Sequence, residues 1–172
     1  MIRILFLGDV VGEPGRKAVI ARLAGLKEEE DIDFIVVNGE NAAGGRGITS
    51  KISIDLLRAG AAVITTGDHV WDQREIVDYF PTEPRLLRPV NYPEGAPGAG
   101  SVVLETPKGK IGVINAQGRV FMTPPLESPL DGVEAVVESM RADGVRVISV
   151  SYTHLRAHET REDRVCRLLL EK

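Results

Sequence analysis

Five polar residues stand just behind three apolar runs. Asp9 follows the run in MIRILFLGD, Glu40 and Asn41 follow DFIVVNGEN, and Asp68 and His69 follow AAVITTGDH. Carboxylates and amide carbonyls are hard oxygen donors; with an imidazole they suit Mn, Fe or Zn better than a soft metal. Two such ions held by a bridging carboxylate clamp a phosphoryl group and activate a water. A histidine beside them, not itself a ligand, can protonate the leaving oxygen. Taken singly, several of these residues have ordinary uses. An aspartate behind a strand caps a helix or a turn, and Asp68 and His69 can hydrogen-bond to each other across a turn. Glu40 has no such routine use. A carboxylate between two asparagines at the end of an apolar run is costly to bury unless something pairs with it.

The elements around these residues decide whether they meet. Ile2–Leu7, Asp33–Val37 and Ala61–Thr65 read as short buried strands. Pro14 opens a helical stretch between the first two, since its missing N–H needs no partner in a first turn. Thr49 or Ser50 caps a second helix, which runs through Arg58 and ends near Gly60. Strand and helix alternating in this way predict a parallel sheet with helices on its faces. Successive parallel strands end on one edge, where ligands bind. Asp9, Glu40, Asn41, Asp68 and His69 therefore converge. Asp72 is expected to cap a short helix, QREIVDYF, stopped by Pro81. Beyond it come a strand over Leu86–Val90, a Gly- and Pro-rich loop NYPEGAPGAG, a hairpin SVVLETPKGKIGVIN, a loop GRVFMTPPLESP, a helix over Asp131–Met140 and a strand over Val145–Ile148.

The composition narrows the class. The chain has 172 residues, 43% hydrophobic and 27% charged, which makes one α/β domain with a substantial core. Its formal net charge of -4 and scattered basic residues argue against nucleic-acid binding through bulk charge. Neither a membrane span nor a cleavable signal is expected, and one cysteine allows no disulfide framework; a cytoplasmic location follows.

The stretches LGDVVGEPGR, VNGENAAGGRGI, TGDHVWDQREI, LLRPVNYPEGAPGAG and NAQGRVFM together resemble the YmdB-like family of calcineurin-type metallophosphoesterases. The resemblance covers roughly residues 1–148. It implies a sandwich of sheets flanked by helices and a two-metal phosphodiesterase. The implied substrates are cyclic nucleotides, 2′,3′-cyclic and also 3′,5′-cyclic, with RNA-derived 2′,3′-cyclic ends in scope and a homo-oligomer left open. Two divalent ions are implied, Fe or Mn first, with Zn or Mg compatible. Motif by motif, Asp9 matches a metal ligand, Glu40 the bridging acid, Asn41 a further ligand and His69 the proton donor. Asp68 stands where the family more often has Asn; it can still ligate but adds a negative charge. Asn91 with the loop NYPEGAPGAG, and Arg119, are candidates for the substrate pocket, Arg119 because a guanidinium forks onto phosphate oxygens.

The resemblance stops near Ile148. The family pattern then supplies a histidine in an Asp-Phe-His-like motif and two more in a Gly-Thr-His-Thr-His-like motif. Here the chain reads SVSYTHLRAHETREDRVCRLLLEK. SYTHLRAHET resembles a translated transposase adapter from short-read sequencing libraries, and VCRLLLEK a translated flow-cell adapter, in the order expected of such a read. On this reading residues 1–148 are an incomplete metallophosphoesterase domain, its C-terminal part missing. Residues 149–172 are then an artefactual tail, and the chain as written is an inactive fragment. His154 and His158, although spaced i, i+4, are not recruited as ligands. The rival from another class is a non-catalytic nucleotide-binding or regulatory α/β module. GDVVGEPG superficially resembles a phosphate loop, but it lacks the G-x-G-x-x-G order and no Walker lysine pair appears.

Overall fold

The computed structural model describes residues 1–119 and 126–153. The chain runs β1 (Ile4–Leu7), α1 (Gly12–Glu29), β2 (Phe34–Asn38), α2 (Ser50–Arg58), β3 (Val63–Thr65), α3 (Ile76–Tyr79), a 3-10 turn (Phe80–Thr82) and β4 (Leu86–Leu87). It continues with β5 (Ser101–Thr106), β6 (Gly109–Gln117), α4 (Pro129–Ala142) and β7 (Val147–Thr153). β1 to β4 form a parallel sheet in the order β1-β2-β3-β4. β5, β6 and β7 form a second sheet, in which β6 pairs antiparallel with β5 and parallel with β7. Among the described residues no helix is long and apolar enough to cross a membrane.

Side-chain alternation along the strands explains the layers. Ile35, Val37, Ile64 and Leu86 pack with Leu23, Leu56, Ile76 and Phe80 in the helix-side core. Phe34, Val36, Val63 and Leu87 point the other way and meet Ile111 and Val113 of the second sheet. Ile114, Met140 and Val145 form a third cluster where α4 covers that sheet. β2 is buried at all five positions because both of its faces are covered, which is why it reads as an unbroken apolar run.

Several boundaries differ from the sequence expectation, each for a local reason. α1 begins at Gly12, two residues before Pro14, because Gly12 turns the chain at a φ of +58°. The strand expected over Leu86–Val90 is only Leu86–Leu87. Arg88 N instead bonds Ala99 O and Val90 N bonds Asn115 O, so the segment passes from one sheet to the other. Asp72 caps nothing: α3 starts later, with Glu75 preceding it and no side-chain cap, and Pro81 lies inside the 3-10 turn. α4 begins earlier than expected, at Pro129, with Ser128 as its cap. β7 is in register with β6 from Val147 through Thr153, so it includes residues 149–153 of the unusual tail. The remainder of that tail, with His154 and His158, lies outside the described residues, as do residues 120–125 of the loop before α4.

Thr49 is the cap of α2. Its side-chain oxygen accepts from Ile52 N at 3.2 Å, satisfying one of the donors a helix start leaves open. Thr49→Ala is expected to lower unfolding stability by about 1 kcal/mol. Urea titration followed by circular dichroism checks this; an unchanged midpoint would show that the cap contributes nothing.

Candidate metal centre

The loops behind β1, β2 and β3 lie on one edge of the parallel sheet and are stitched together by backbone. Val10 N bonds Asn38 O at 3.0 Å, Gly12 N bonds Asn41 O at 2.9 Å and Gly39 N bonds Thr65 O at 2.9 Å. The short turns that carry Asp9, Glu40 and Asp68 are thus held by the register of the strands beneath them. Asn38, the last residue of β2, turns its amide oxygen back to accept from Glu40 N at 3.0 Å. Asn41 Nδ2 donates to Asp9 Oδ1 at 2.8 Å, which leaves Asn41 Oδ1 as the atom that can ligate.

Glu40 is the buried member, 3% exposed. One ligand atom each from Glu40, Asp68 and His69 lie within 4.8 Å of one another. The surroundings push the Glu40 carboxyl up to about 9. Burial is the main cause; a hydrogen bond with Asp68 and the negative charges of Asp68 and Asp9 add to it. Gly67 gives the carboxylate its room, since a Cβ there would stand 2.0 Å from Glu40 Oε2. A desolvated carboxylate crowded by two others, in a cradle with no side chain on one wall, is short of positive charge. That is the electrostatics of a cation site, so the donor set fits the divalent ions the family resemblance implies.

His69 lies beside this group. Its Nδ1 is 3.1 Å from Asp72 Oδ2 and its Nε2 is 3.9 Å from Asp68 Oδ1. Asp72 Oδ2 also accepts from Arg46 Nε at 2.8 Å. The pairing of Asp68 and His69 across a turn is therefore loose, and the nearer carboxylate is Asp72.

The five residues expected to converge do so. The two expected in the substrate pocket are placed differently from them. Asn91 is buried at 1% exposure and uses its whole amide on backbone: Nδ2 donates to Gln117 O and Glu127 O, and Oδ1 accepts from Gln117 N. It clasps the loop behind β4 to the end of β6. Arg119 is exposed, two residues past β6. The end of β6 reaches the same edge, because Asn115 Nδ2 bonds Thr66 O at 2.9 Å and Leu87 O at 3.0 Å.

Two nearby residues were not singled out for the site by sequence, Asp72 as a partner of His69 and Trp71; a third, Tyr92, belongs to the loop NYPEGAPGAG expected to line the pocket. The Tyr92 hydroxyl is pushed up by burial and then by the charges of Asp68, Glu40 and Asp72, which places it at the wall of the centre. Trp71 meets the Tyr92 ring edge-on, with centroids 5.8 Å apart. The available signal was spacing: Trp71 and Asp72 come two and three residues after His69, within one turn.

Comparison with known proteins identifies the family and its fold. The family model for YmdB-like protein matches residues 5–171. The 2′,3′-cyclic-nucleotide 2′-phosphodiesterase of Bacillus subtilis (strain 168) is 45% identical over 141 residues, which are 81% of this chain and 53% of that protein. A hypothetical protein from Thermus thermophilus superposes with a TM-score of 0.80 at 33% identity, covering 90% of this chain and 59% of its own. A phosphatase from Mycoplasma pneumoniae superposes with a TM-score of 0.78 at 30% identity, covering 90% and 56%. The chain spans about half the length of the curated relatives it matches.

Proposed function

The chain belongs to the YmdB-like protein family, and on that premise we propose that the whole protein is a metal-dependent phosphodiesterase that opens cyclic nucleotides. The 2′,3′-cyclic class, including RNA-derived ends, is the first candidate, after the Bacillus subtilis relative; 3′,5′-cyclic nucleotides are the second. The observation that carries the proposal is the buried Glu40 carboxylate, gathered with Asp68 and His69 and raised to about 9 by burial and neighbouring charge.

Glu40, Asp68, Asp9 and Asn41 would hold two divalent ions, Fe or Mn first, with Zn or Mg compatible. When bound, the ions supply Lewis-acid polarisation of the phosphoryl group and an acidified water. The chain's own residues do the rest. Glu40 would supply the buried carboxylate of the bridging acid, and Asn41 steadies Asp9 through its amide. His69 directs Nε2 at the carboxylates and gives its proton to the departing alkoxide. Tyr92, 8% exposed and edge-on to Trp71, would line one side of the centre. Arg119 is proposed to reach the substrate's phosphate oxygens from the end of β6.

We further propose that residues 149–172 are translated adapter, so that the 172-residue chain is inactive while the uninterrupted gene product is not. An uninterrupted DNA read through the locus that carries this tail would refute the adapter reading. For activity, the uninterrupted product is assayed on 2′,3′-cyclic and 3′,5′-cyclic nucleotides with Mn or Fe and with chelator. Turnover that requires metal supports the enzyme. Activity that survives chelation, or none with both metals supplied, favours the non-catalytic nucleotide-binding module. Turnover by the 172-residue chain itself would overturn its inactivity.

A further inference from the structure

The fourth strand of the first sheet ends in a cation. Arg88 directly follows β4, as Asp9, Glu40 and Asp68 follow β1, β2 and β3, so it lies on the same edge of the sheet, next to the turn that carries Asp68 and His69. Its backbone is fixed from two directions. Arg88 N bonds Ala99 O at 3.0 Å, and Leu87 O, one residue before, accepts from Asn115 Nδ2 at 3.0 Å. Its side chain folds over the next turn. Nη1 donates to Pro89 O at 2.8 Å, the same oxygen that accepts from Tyr92 N at 3.4 Å. The guanidinium therefore rests on the turn that leads to Tyr92, whose ring stands edge-on to Trp71 beside the centre.

That guanidinium is short of acceptors. Arg88 is half-buried, and its Nε is shut off from solvent with no hydrogen-bond partner. Arg85, three residues earlier, shows the satisfied case: its Nε and Nη2 fork onto the Glu83 carboxylate at 2.8 Å and 2.7 Å. Among the described residues no carboxylate does this for Arg88. Burial pulls the Arg88 guanidinium down from its ordinary value, with only the Tyr92 hydroxyl set against it. An arginine nevertheless stays charged in a protein. A charged, partly desolvated group with an unmet donor is costly until an acceptor meets it, and an anion meets it best.

We propose that Arg88 is an oxyanion-binding residue: its unmet donor, held at the end of β4 beside the carboxylate centre, takes a phosphate oxygen of the ligand that the centre receives. This rests on the function proposed above only for which phosphate is bound; the demand for an oxyanion belongs to the chain itself. The planar fork of Nε–H and a neighbouring Nη–H suits two oxygens of one phosphate. Neighbouring strands lie about 4.8 Å apart, so Arg88 stands roughly one strand spacing from the Asp68 turn and two from the Glu40 turn. Two phosphates fit that placement, the one held over the carboxylates and the next one along a nucleotide chain.

The test is proton–nitrogen NMR of the Arg88 Nε–H in the 172-residue chain, in chelator, with inorganic phosphate as the probe. A buried Nε–H exchanges slowly with water and gives a resolved signal; Arg88→Lys, which keeps the charge, identifies it by its loss. Phosphate is expected to move the signal saturably, and chloride at the same ionic strength to leave it in place. A signal that ignores phosphate, or that chloride moves equally, overturns the proposal. So does a signal that responds in the 172-residue chain but not in the uninterrupted gene product, because the rest of the protein then supplies the anion. In that product, with Mn, Arg88→Lys and Arg88→Met should raise KM about tenfold, the loss of one hydrogen bond to a charged group. A rise for a 2′,3′-cyclic mononucleotide and for a dinucleotide with such an end alike assigns Arg88 to the reacting phosphate. A rise for the dinucleotide alone assigns it to the neighbouring one. An unchanged KM for both overturns the proposal. A product that hydrolyses nothing would refute the enzyme and leave the phosphate titration to decide the oxyanion site.

Discussion

Replacing Glu40 by glutamine is expected to stabilise the metal-free chain at neutral pH. The Glu40 carboxyl moves from an ordinary value of 4.5 up to about 9 on folding, chiefly because it is buried. Between those values the folded state binds a proton that the unfolded state has released, so stability falls as pH rises. It is greatest below about 4.5 and lowest above about 9. At pH 7 roughly two and a half units of that difference have been lost, on the order of 3 kcal/mol. Glutamine keeps the shape, cannot ionise and can donate to Asp68. Chemical denaturation in chelator at pH 5, 7 and 9 checks this. The parent should weaken steadily across the series while Glu40→Gln stays nearly flat and the stronger of the two at pH 7 and 9. Added Mn should narrow or reverse the order, because a cation bound to the folded state favours the ionised parent. A glutamine variant weaker than the parent at pH 9 in chelator would refute the account.

The second large effect comes from a single methyl group. Gly67 has no positive φ, so alanine meets no backbone strain there. Its Cβ would, however, lie 2.0 Å from Glu40 Oε2, 2.3 Å from Cδ and 2.7 Å from Oε1. Ile48 and Ile64, both buried, pack at Gly39 beside it, and Glu40 itself is 3% exposed. Gly67→Ala should therefore destabilise the chain by about 1 to 3 kcal/mol, the range for overpacking a filled interior. The clash is with one side chain, so truncating that side chain should remove it. In a Glu40→Ala background Gly67→Ala should be close to neutral, giving a coupling nearly as large as the single effect. Thermal or urea unfolding of the four proteins closes the cycle. Additive effects would show that Gly67 is required for some other reason.

The sequence made the centre readable because each of its residues stands at a strand end, and strand ends in a parallel sheet share an edge. Glu40 is visible as a carboxylate behind five buried residues, and Asp9 and Asp68 follow by the same logic. What it concealed depended on neighbours distant in the chain. Asp72 looked like a helix cap because D-Q-R-E-I is a plausible helix start; the helix begins at Ile76, and the freed carboxylate turns to His69 and Arg46. Asn91 sits in a loop rich in Gly and Pro, where an exposed pocket residue is a natural guess. Only the folded chain brings Gln117 and Glu127 to its amide. The run Leu86–Val90 reads as one strand by composition, yet its backbone divides between two sheets, and no local pattern signals that change.

The first sheet has a property that matters before the molecule is finished. Its strands lie in the order in which they are made, each pairing with the one before it, and the last is complete at Leu87. A chain emerging from the ribosome at about 5 to 20 residues per second would have every strand of that sheet, and all five polar residues at its edge, seconds before β6 is complete at Gln117. Asn115 arrives afterwards, its amide donating to Thr66 O from the second sheet. The edge that carries the five polar residues is thus complete before the second sheet is made to cover it.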